Sequence, residues 1–414
     1  MLKDSFPRGL DRRVWLLCSG RIISTTGFSI VLPFLAIHLN RDLALSMGEV
    51  GMVFLVMAVA GAFGQILGGE LADRIGRRPV MFASMGLRGL VFLLLFGAFL
   101  LHSDIWGITV LLSVSNALGS LFDPASSAMI ADIVEPGRRL EAYGILRIGQ
   151  NIGWTLGPLI SGLMIVLLPF SYLFLMTAMT CSIVGLVILL LVKEPARVAV
   201  GHDRFHPRDL LKIWHNKAFF IFCLASLPLG IILGQLSSTF SVFCVKDMGI
   251  PEAGVGYMYA LNGIIVVLLQ FPMTRLISHY RMPLVLSAGS LLYALGYFLV
   301  GLTDIGWVLL ITVIIITLGE NTVSPSSTAM VASLSPEDEK GRYMGVYGIF
   351  FYFGWSLGPT VGGVLYDLLH GSPFALWSAE ASIAMVSVIG FLILGRSPSG
   401  ASPRPTGRMG RAKG

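Results

Sequence analysis

The sequence predicts an all-α membrane protein: twelve transmembrane helices arranged as two pseudo-symmetric six-helix bundles. Three observations lead there. The chain of 414 residues is 55% hydrophobic and only 13% charged, against about 25% charged in a soluble domain, and its mean hydropathy is +0.80. Its apolar runs are continuous and long enough to cross a hydrocarbon core, which takes about 20 residues per helix; a transmembrane barrel would show short alternating strands instead. Finally, the second half repeats the first. GWTLGPLISG at Gly153–Gly162 returns as GWSLGPTVGG at Gly354–Gly363, and PASSAMIAD at Pro124–Asp132 returns as PSSTAMVAS at Pro325–Ser333, both at an offset of 201 positions. One constant offset means one duplicated unit of about half the chain.

Each span is framed by its flanking charges. The first, about 14–39, follows Arg12 and Arg13; it is too long for a cleaved signal peptide and no small-residue cleavage site follows it. The second and third, about 48–70 and 80–101, flank Arg74, Arg77 and Arg78. The fourth and fifth, about 106–133 and 141–168, flank Arg138 and Arg139. The sixth, about 171–192, runs into a polar linker, 193–217, with six basic residues. The seventh and eighth, about 218–244 and 253–277, lead to a turn with Arg275 and Arg281, then to the ninth, about 283–302. The tenth and eleventh, about 306–334 and 342–368, flank Lys340 and Arg342. The twelfth, about 373–395, precedes a tail with five basic residues.

If both termini are cytoplasmic, twenty-four of the 29 lysines and arginines fall on the cytoplasmic side and only Arg41 and Lys246 on the other. That bias sets the topology in a cytoplasmic (inner) membrane. The net charge of +6 then marks a membrane face and not a nucleic-acid footprint. The expected division is a bundle over 1–192, the cytoplasmic linker 193–217, a second bundle over 218–396 and a disordered tail over 397–414, rich in Gly, Pro, Ser and Arg. Cys18, Cys181, Cys223 and Cys244 lie in or at the end of apolar runs without paired spacing, so neither a disulfide nor a metal site is expected. His202 and His206 share the linker and read as solvated.

The turn after the second span reads GELADRIGRRP, Gly69 to Pro79. Gly69, Leu71, Asp73, Arg74, Gly76, Arg77 and Arg78 resemble the signature loop of the major facilitator superfamily, and the twelve spans and the half-chain repeat extend the resemblance over nearly the whole chain. Two glycines permit a tight turn, Asp73 suits a helix N-terminus, and Arg77 can reach a carboxylate on a neighbouring helix, with Asp132 the candidate. The resemblance implies a latch that forms in the outward-open state and breaks in the inward-open one. The equivalent turn in the second half, FPMTRLISHYRMP, lacks the aspartate and the glycines.

The repeated phrase carries Gly153, Gly157, Pro158 and Gly162 on the fifth helix, and Gly354, Gly358, Pro359, Gly362 and Gly363 on the eleventh. It resembles the family's antiporter motif, with Ser161 in place of one glycine, and the resemblance implies export. Small residues four apart let helices approach closely and the proline bends them, so this face is expected to act as a gasket between the halves.

Charges inside the membrane are expensive and mark function by default. They are Arg21, Arg88, Asp123, Arg147, Glu320 and Glu380. In the resembled fold the first, fourth, seventh and tenth helices line the cavity, which favours Arg21, Asp123 and Glu320, then Arg147. By the offset Glu320 corresponds to Gly119, one turn from Asp123. Burial raises a carboxyl pKa and a nearby arginine lowers it, so Glu320 and Asp123 are the proton-coupling candidates, with Arg21 or Arg147 the pairing choices for Asp123. Gln150, Asn151, Gln235 and Asn262 are further cavity candidates. Proton antiporters of this family often carry an arginine four residues before that glycine; here Ser115 stands there.

No catalytic constellation and no phosphate-binding loop is present in the sequence, so neither an enzyme nor an ATP-driven pump is expected and no cofactor is needed beyond a proton gradient. The expected activity is proton-coupled efflux of amphipathic or cationic compounds by a monomer, through alternating access. The alternative is proton-coupled transport of a specific metabolite such as a sugar or organic anion. A transport-dead receptor would bind ligand without flux.

Overall fold

The computed structural model describes residues 10–101, 103–135, 138–194, 216–336, 339–369 and 371–396. Most of the expected linker, including His202 and His206, and the tail over 397–414 lie outside the described residues. Thirteen helices and no strand are found among the described residues. They are α1 (Arg12–Arg41), α2 (Met47–Ile75), α3 (Arg77–Leu100), α4 (Ile105–Ile133), α5 (Arg139–Met164), α6 (Ser171–Leu191), α7 (Lys217–Gln235), α8 (Thr239–Lys246), α9 (Glu252–Ile277), α10 (Met282–Val300), α11 (Val308–Leu334), α12 (Lys340–Leu369) and α13 (Pro373–Arg396).

Local chemistry sets the ends. Asp11 caps α1 by accepting from the Arg13 amide at 2.8 Å. Ser46 and Glu49 form a reciprocal capping box on α2, and Asp104 accepts from the Gly107 amide to open α4. Each satisfies amides that a helix start leaves without partners. Between the caps the helices are apolar on nearly all sides, as lipid requires: Phe63 and Ile66 of α2 are 64% and 70% exposed, whereas Val14, Met81, Met85, Phe122 and Met129 pack into one apolar core.

The chain divides into two compact units, residues 1–201 with 236–263, and residues 202–235 with 264–414. In the first, α1 packs on α5, α6 and α8, α2 on α4, and α3 on α4 and α6. In the second, α7 packs on α12 and α13, and α10 on α11 and α13. Four pairings recur at the sequence offset: α1 with α5 and α7 with α12, α3 with α6 and α10 with α13, α3 with α4 and α10 with α11, α1 with α6 and α7 with α13.

Three expectations change. The seventh span is broken, α7 ending at Gln235 and α8 starting at Thr239. The carbonyl of Leu236 left at the break accepts from the Ser241 hydroxyl at 2.8 Å and the Tyr259 hydroxyl at 2.7 Å, which makes a helix interruption tolerable at membrane depth. Eleven helical segments, counting Lys217–Lys246 as one, are long and apolar enough to cross a membrane among the described residues. α5 is not one of them, because it carries Arg139, Glu141, Arg147, Gln150 and Asn151. And α3 begins at Arg77, so the connection from α2 is Gly76 alone, at φ 110°, a conformation that favours glycine.

Candidate functional site

Arg21 of α1 and Asp123 of α4 form an ion pair. Of the two arginines open to Asp123 in the sequence, the structure selects Arg21. The second Arg21 nitrogen donates to Gln150 Oε1 of α5 at 3.3 Å, so three helices of the first unit meet in one polar cluster. The Asp123 side chain is 47% exposed and that of Arg21 18%. Arg147 and Asn151 are exposed on the same helix as Gln150. Pro124 lies inside α4 just after Asp123.

In the second unit Glu320 is half-buried on α11 beside Asn321, which is fully buried. Gln270 of α9 donates to the Asn321 carbonyl at 3.3 Å. Gln235 is fully buried, and its amide donates to the Gly358 carbonyl at 2.9 Å. It ties α7 to α12 and does not stand on a cavity wall as expected. Asn262 is half-buried on α9, in the first unit.

At the α2–α3 junction Arg77 lies 2.9 Å from Asp132 of α4 and 3.0 Å from Asp73, bringing together the residues named for the latch. Arg74 instead pairs with Glu70 along α2. Two details differ from expectation. Gly69 lies within α2 with open space around it, so Gly76 alone makes the turn. Asp73 is in the last turn of α2, and the carboxylate at the α3 N-terminus belongs to Glu194, after α6. Glu194 accepts from the Arg77 amide at 2.8 Å and the Arg78 amide at 2.7 Å, supplying the cap that Gly76 lacks. Arg78 reaches back to the Leu189 carbonyl at 2.5 Å. Charge-assisted caps of this kind contribute about 1–2 kcal/mol. Glu194→Ala should therefore lower the thermal unfolding midpoint in detergent, and Glu194→Gln should lower it less; equal midpoints in all three proteins would remove the cap from the account.

Gly153, Gly157, Gly162, Gly354 and Gly358 of the repeated motif pack inside their own units. A β-carbon at Gly153 would meet the Thr26 amide nitrogen at 2.9 Å, and one at Gly157 the Ser29 carbonyl carbon at 2.8 Å, both on α1. Ser29 also donates to the Gly153 carbonyl at 2.9 Å. A β-carbon at Gly162 would meet the α-carbon of Gly256 at 2.7 Å. Gly354 and Gly358 press on α7 in the same way, and Gly362 and Gly363 are buried. Gly153, Gly157, Gly354 and Gly358 thus make a pair of close helix contacts, α1 with α5 and α7 with α12, and Gly162 reaches a segment from the other half of the sequence.

Arg88 was placed outside the cavity by the resemblance, yet it is only 5% exposed. Its guanidinium lies 5.0 Å from the Phe28 ring centre and 5.5 Å from that of Phe92, within range of a cation–π contact. It fills the space a side chain at Gly119 would need. The signal was in the repeat: Arg88 and Gly119 correspond at the offset to Gly289 and Glu320, so the large and small members are exchanged between the halves.

The chain matches the family model of the Major Facilitator Superfamily over residues 17–359 and 236–413. It is 26% identical over 380 residues to the uncharacterized MFS-type transporter YqjV of Bacillus subtilis (strain 168), covering 90% of this chain and 91% of the relative. It is 26% identical over 387 residues to the multidrug resistance protein MdtH of Proteus mirabilis (strain HI4320), covering 92% of each. A Na(+), Li(+), K(+)/H(+) antiporter of Planococcus maritimus is 24% identical over 375 residues, covering 82% of this chain and 86% of that one. Among solved structures, the nucleoside transporter NupG is similar at a TM-score of 0.75 and 16% identity over 94% of this chain and all of that chain. A POT family transporter in complex with a thioalcohol-conjugated peptide is similar at 0.75 and 15%, over 92% and 96%.

Proposed function

Because the chain belongs to the Major Facilitator Superfamily, and is thus an integral membrane transporter and not an enzyme, we propose that it is a proton-coupled exporter of amphipathic or cationic compounds working by rocker-switch alternating access. The observation that carries this reading is the Arg21–Asp123 ion pair between the membrane-spanning helices α1 and α4, with Gln150 of α5 bonded to Arg21. Intramembrane charges are retained where they handle substrate or ions. Full-length similarity to relatives named as multidrug resistance proteins supports the efflux direction. The recurrent helix pairings support two six-helix bundles related by the sequence repeat. The charge bias supports an inner-membrane location with both termini in the cytoplasm.

The test uses proteoliposomes with an imposed pH gradient and ethidium as the probe cation. Gradient-driven ethidium movement that collapses with a protonophore is expected. No ethidium movement, with gradient-driven flux of an organic anion instead, would favour the metabolite reading, for which the arginines Arg21 and Arg147 speak.

A further inference from the structure

At the Arg41 end of α1 a second charged cluster stands apart from the transport and latch residues. His38 is buried, its side chain 4% exposed. Its Nδ1 lies 2.5 Å from Asp42 Oδ2 and its Nε2 3.3 Å from Glu252 Oε2 at the start of α9. Arg41 donates to the other Glu252 oxygen at 2.5 Å and to Asp42 Oδ1 at 2.9 Å. The imidazole stacks on Phe170, centres 3.9 Å apart and planes 9° apart. Lys246, ending α8, donates to Asn40 at 3.2 Å. His38, Arg41, Phe170, Pro251 and Glu252 line a cleft of about 320 Å³. All of these residues belong to the first unit.

Both ring nitrogens of His38 face carboxylates, and Nδ1 also lies 3.3 Å from an Arg41 guanidinium nitrogen. A neutral imidazole has one N–H, so it would turn a lone pair on one of them; the imidazolium has two and satisfies both. With that proton the cluster of His38, Arg41, Asp42 and Glu252 is neutral; without it, the cluster carries one net negative charge. Arg41 stays charged at any physiological pH. Burial works against the Asp42 charge, but the hydrogen bonds from His38 and Arg41 outweigh it and hold the Asp42 carboxyl down at about 2. Asp42 is therefore ionised throughout that range, and its ionised form contributes stability that is lost progressively as the pH falls from the ordinary value of 3.8 through about 2. The member of the cluster whose side-chain type changes charge nearest neutral pH is the imidazole.

We propose that His38 is a proton-binding site that latches the 236–263 segment to the end of α1, closed when the imidazole is protonated and loosened when the proton leaves. Glu252 is the only carboxylate in the cluster that comes from that segment, so the His38 proton and the Arg41 guanidinium are what hold α9 to α1. This site is far from the Arg77–Asp132 pair: α2, which separates the two ends, has 29 residues and so spans about 43 Å. Both clusters are formed in this structure. The first unit thus has an ion cluster at each end, and only this one contains a histidine.

The test needs no substrate. Spin labels at Leu43→Cys and Met248→Cys, on the two sides of the latch, report its distance in the full chain in lipid nanodiscs. The four native cysteines are buried, and label uptake by the parent protein provides the blank. At low pH one short distance is expected, with a longer population growing by about tenfold relative to it across the imidazole range. His38→Gln and Glu252→Gln should each abolish the pH dependence, and Met47→Leu, nearby in α2, should leave it intact. Identical distributions at both ends of the pH range in the parent protein would overturn the proposal. So would the parental pH dependence persisting in either glutamine variant.

Discussion

Gly358→Ala lowers the yield of folded protein and its unfolding midpoint, whereas Gly345→Ala, on the same helix α12, leaves both unchanged or improved. A β-carbon at 358 would sit 2.6 Å from the Ile231 carbonyl oxygen and 2.9 Å from the Gly234 α-carbon of α7. Those are backbone atoms, so the conflict is relieved only by moving one helix off the other. Such overpacking costs about 1–3 kcal/mol, more than the roughly 1 kcal/mol gained by removing a glycine from a helix interior. The shift would also stretch the Gln235 hydrogen bond to the Gly358 carbonyl. At Gly345 nothing lies within 4 Å, so only the helix-propensity gain remains. Thermal unfolding of the two variants in one detergent decides the matter; equal losses would mean that the α7–α12 contact has room for a methyl group at 358. Gly157→Ala should repeat the Gly358 result in the first unit, where the obstacle is Ser29 of α1.

What the sequence made legible was whatever depends on composition or on short spacing. The apolar runs placed the helices to within a few residues. Four helix pairings of the first unit recur in the second at the offset of the repeat, because a duplicated sequence buries duplicated faces. Arg77 and Asp132 were matched because a buried cation at a helix end needs a carboxylate within reach. The misses share a different cause. Hydropathy runs unbroken from Lys217 to Lys246, so the interruption at 236–238 is invisible until the Tyr259 hydroxyl is known to reach the Leu236 carbonyl. The start of α3 depends on Glu194, more than a hundred residues on in the chain. The rotation of α3 that buries Arg88 against Gly119 cannot be read from a helix that is apolar on every side, and Gln235 looked like a cavity residue because polarity alone does not tell a pore wall from a helix–helix tie.

Glu320→Gln abolishes gradient-driven ethidium movement while leaving folding intact, and Asp123→Asn does something different: it damages folding first. Asp123 stands in an ion pair between α1 and α4, whereas Glu320 is half-buried on α11. Asp123 is neutralised by Arg21, so removing its charge strands a cation inside the membrane region, a change that costs about 3–5 kcal/mol for a fully buried pair and less here because Asp123 is half-exposed. The double variant Arg21→Gln with Asp123→Asn should then recover the folded yield that Asp123→Asn loses, since it removes both charges together. In the proposed cycle the Glu320 charge is offset by a proton or by the cationic substrate, never by both at once, and that exclusion is what couples the two fluxes. Glutamine keeps the shape and most hydrogen bonds but fixes the neutral state, so net exchange driven by the gradient should fall by at least about a hundredfold, a barrier difference of about 2.7 kcal/mol, while ethidium binding measured without a gradient weakens and loses its pH dependence. Full exchange by Glu320→Gln, with loss of exchange in the stabilised double variant, would transfer the coupling role to the Arg21–Asp123 pair.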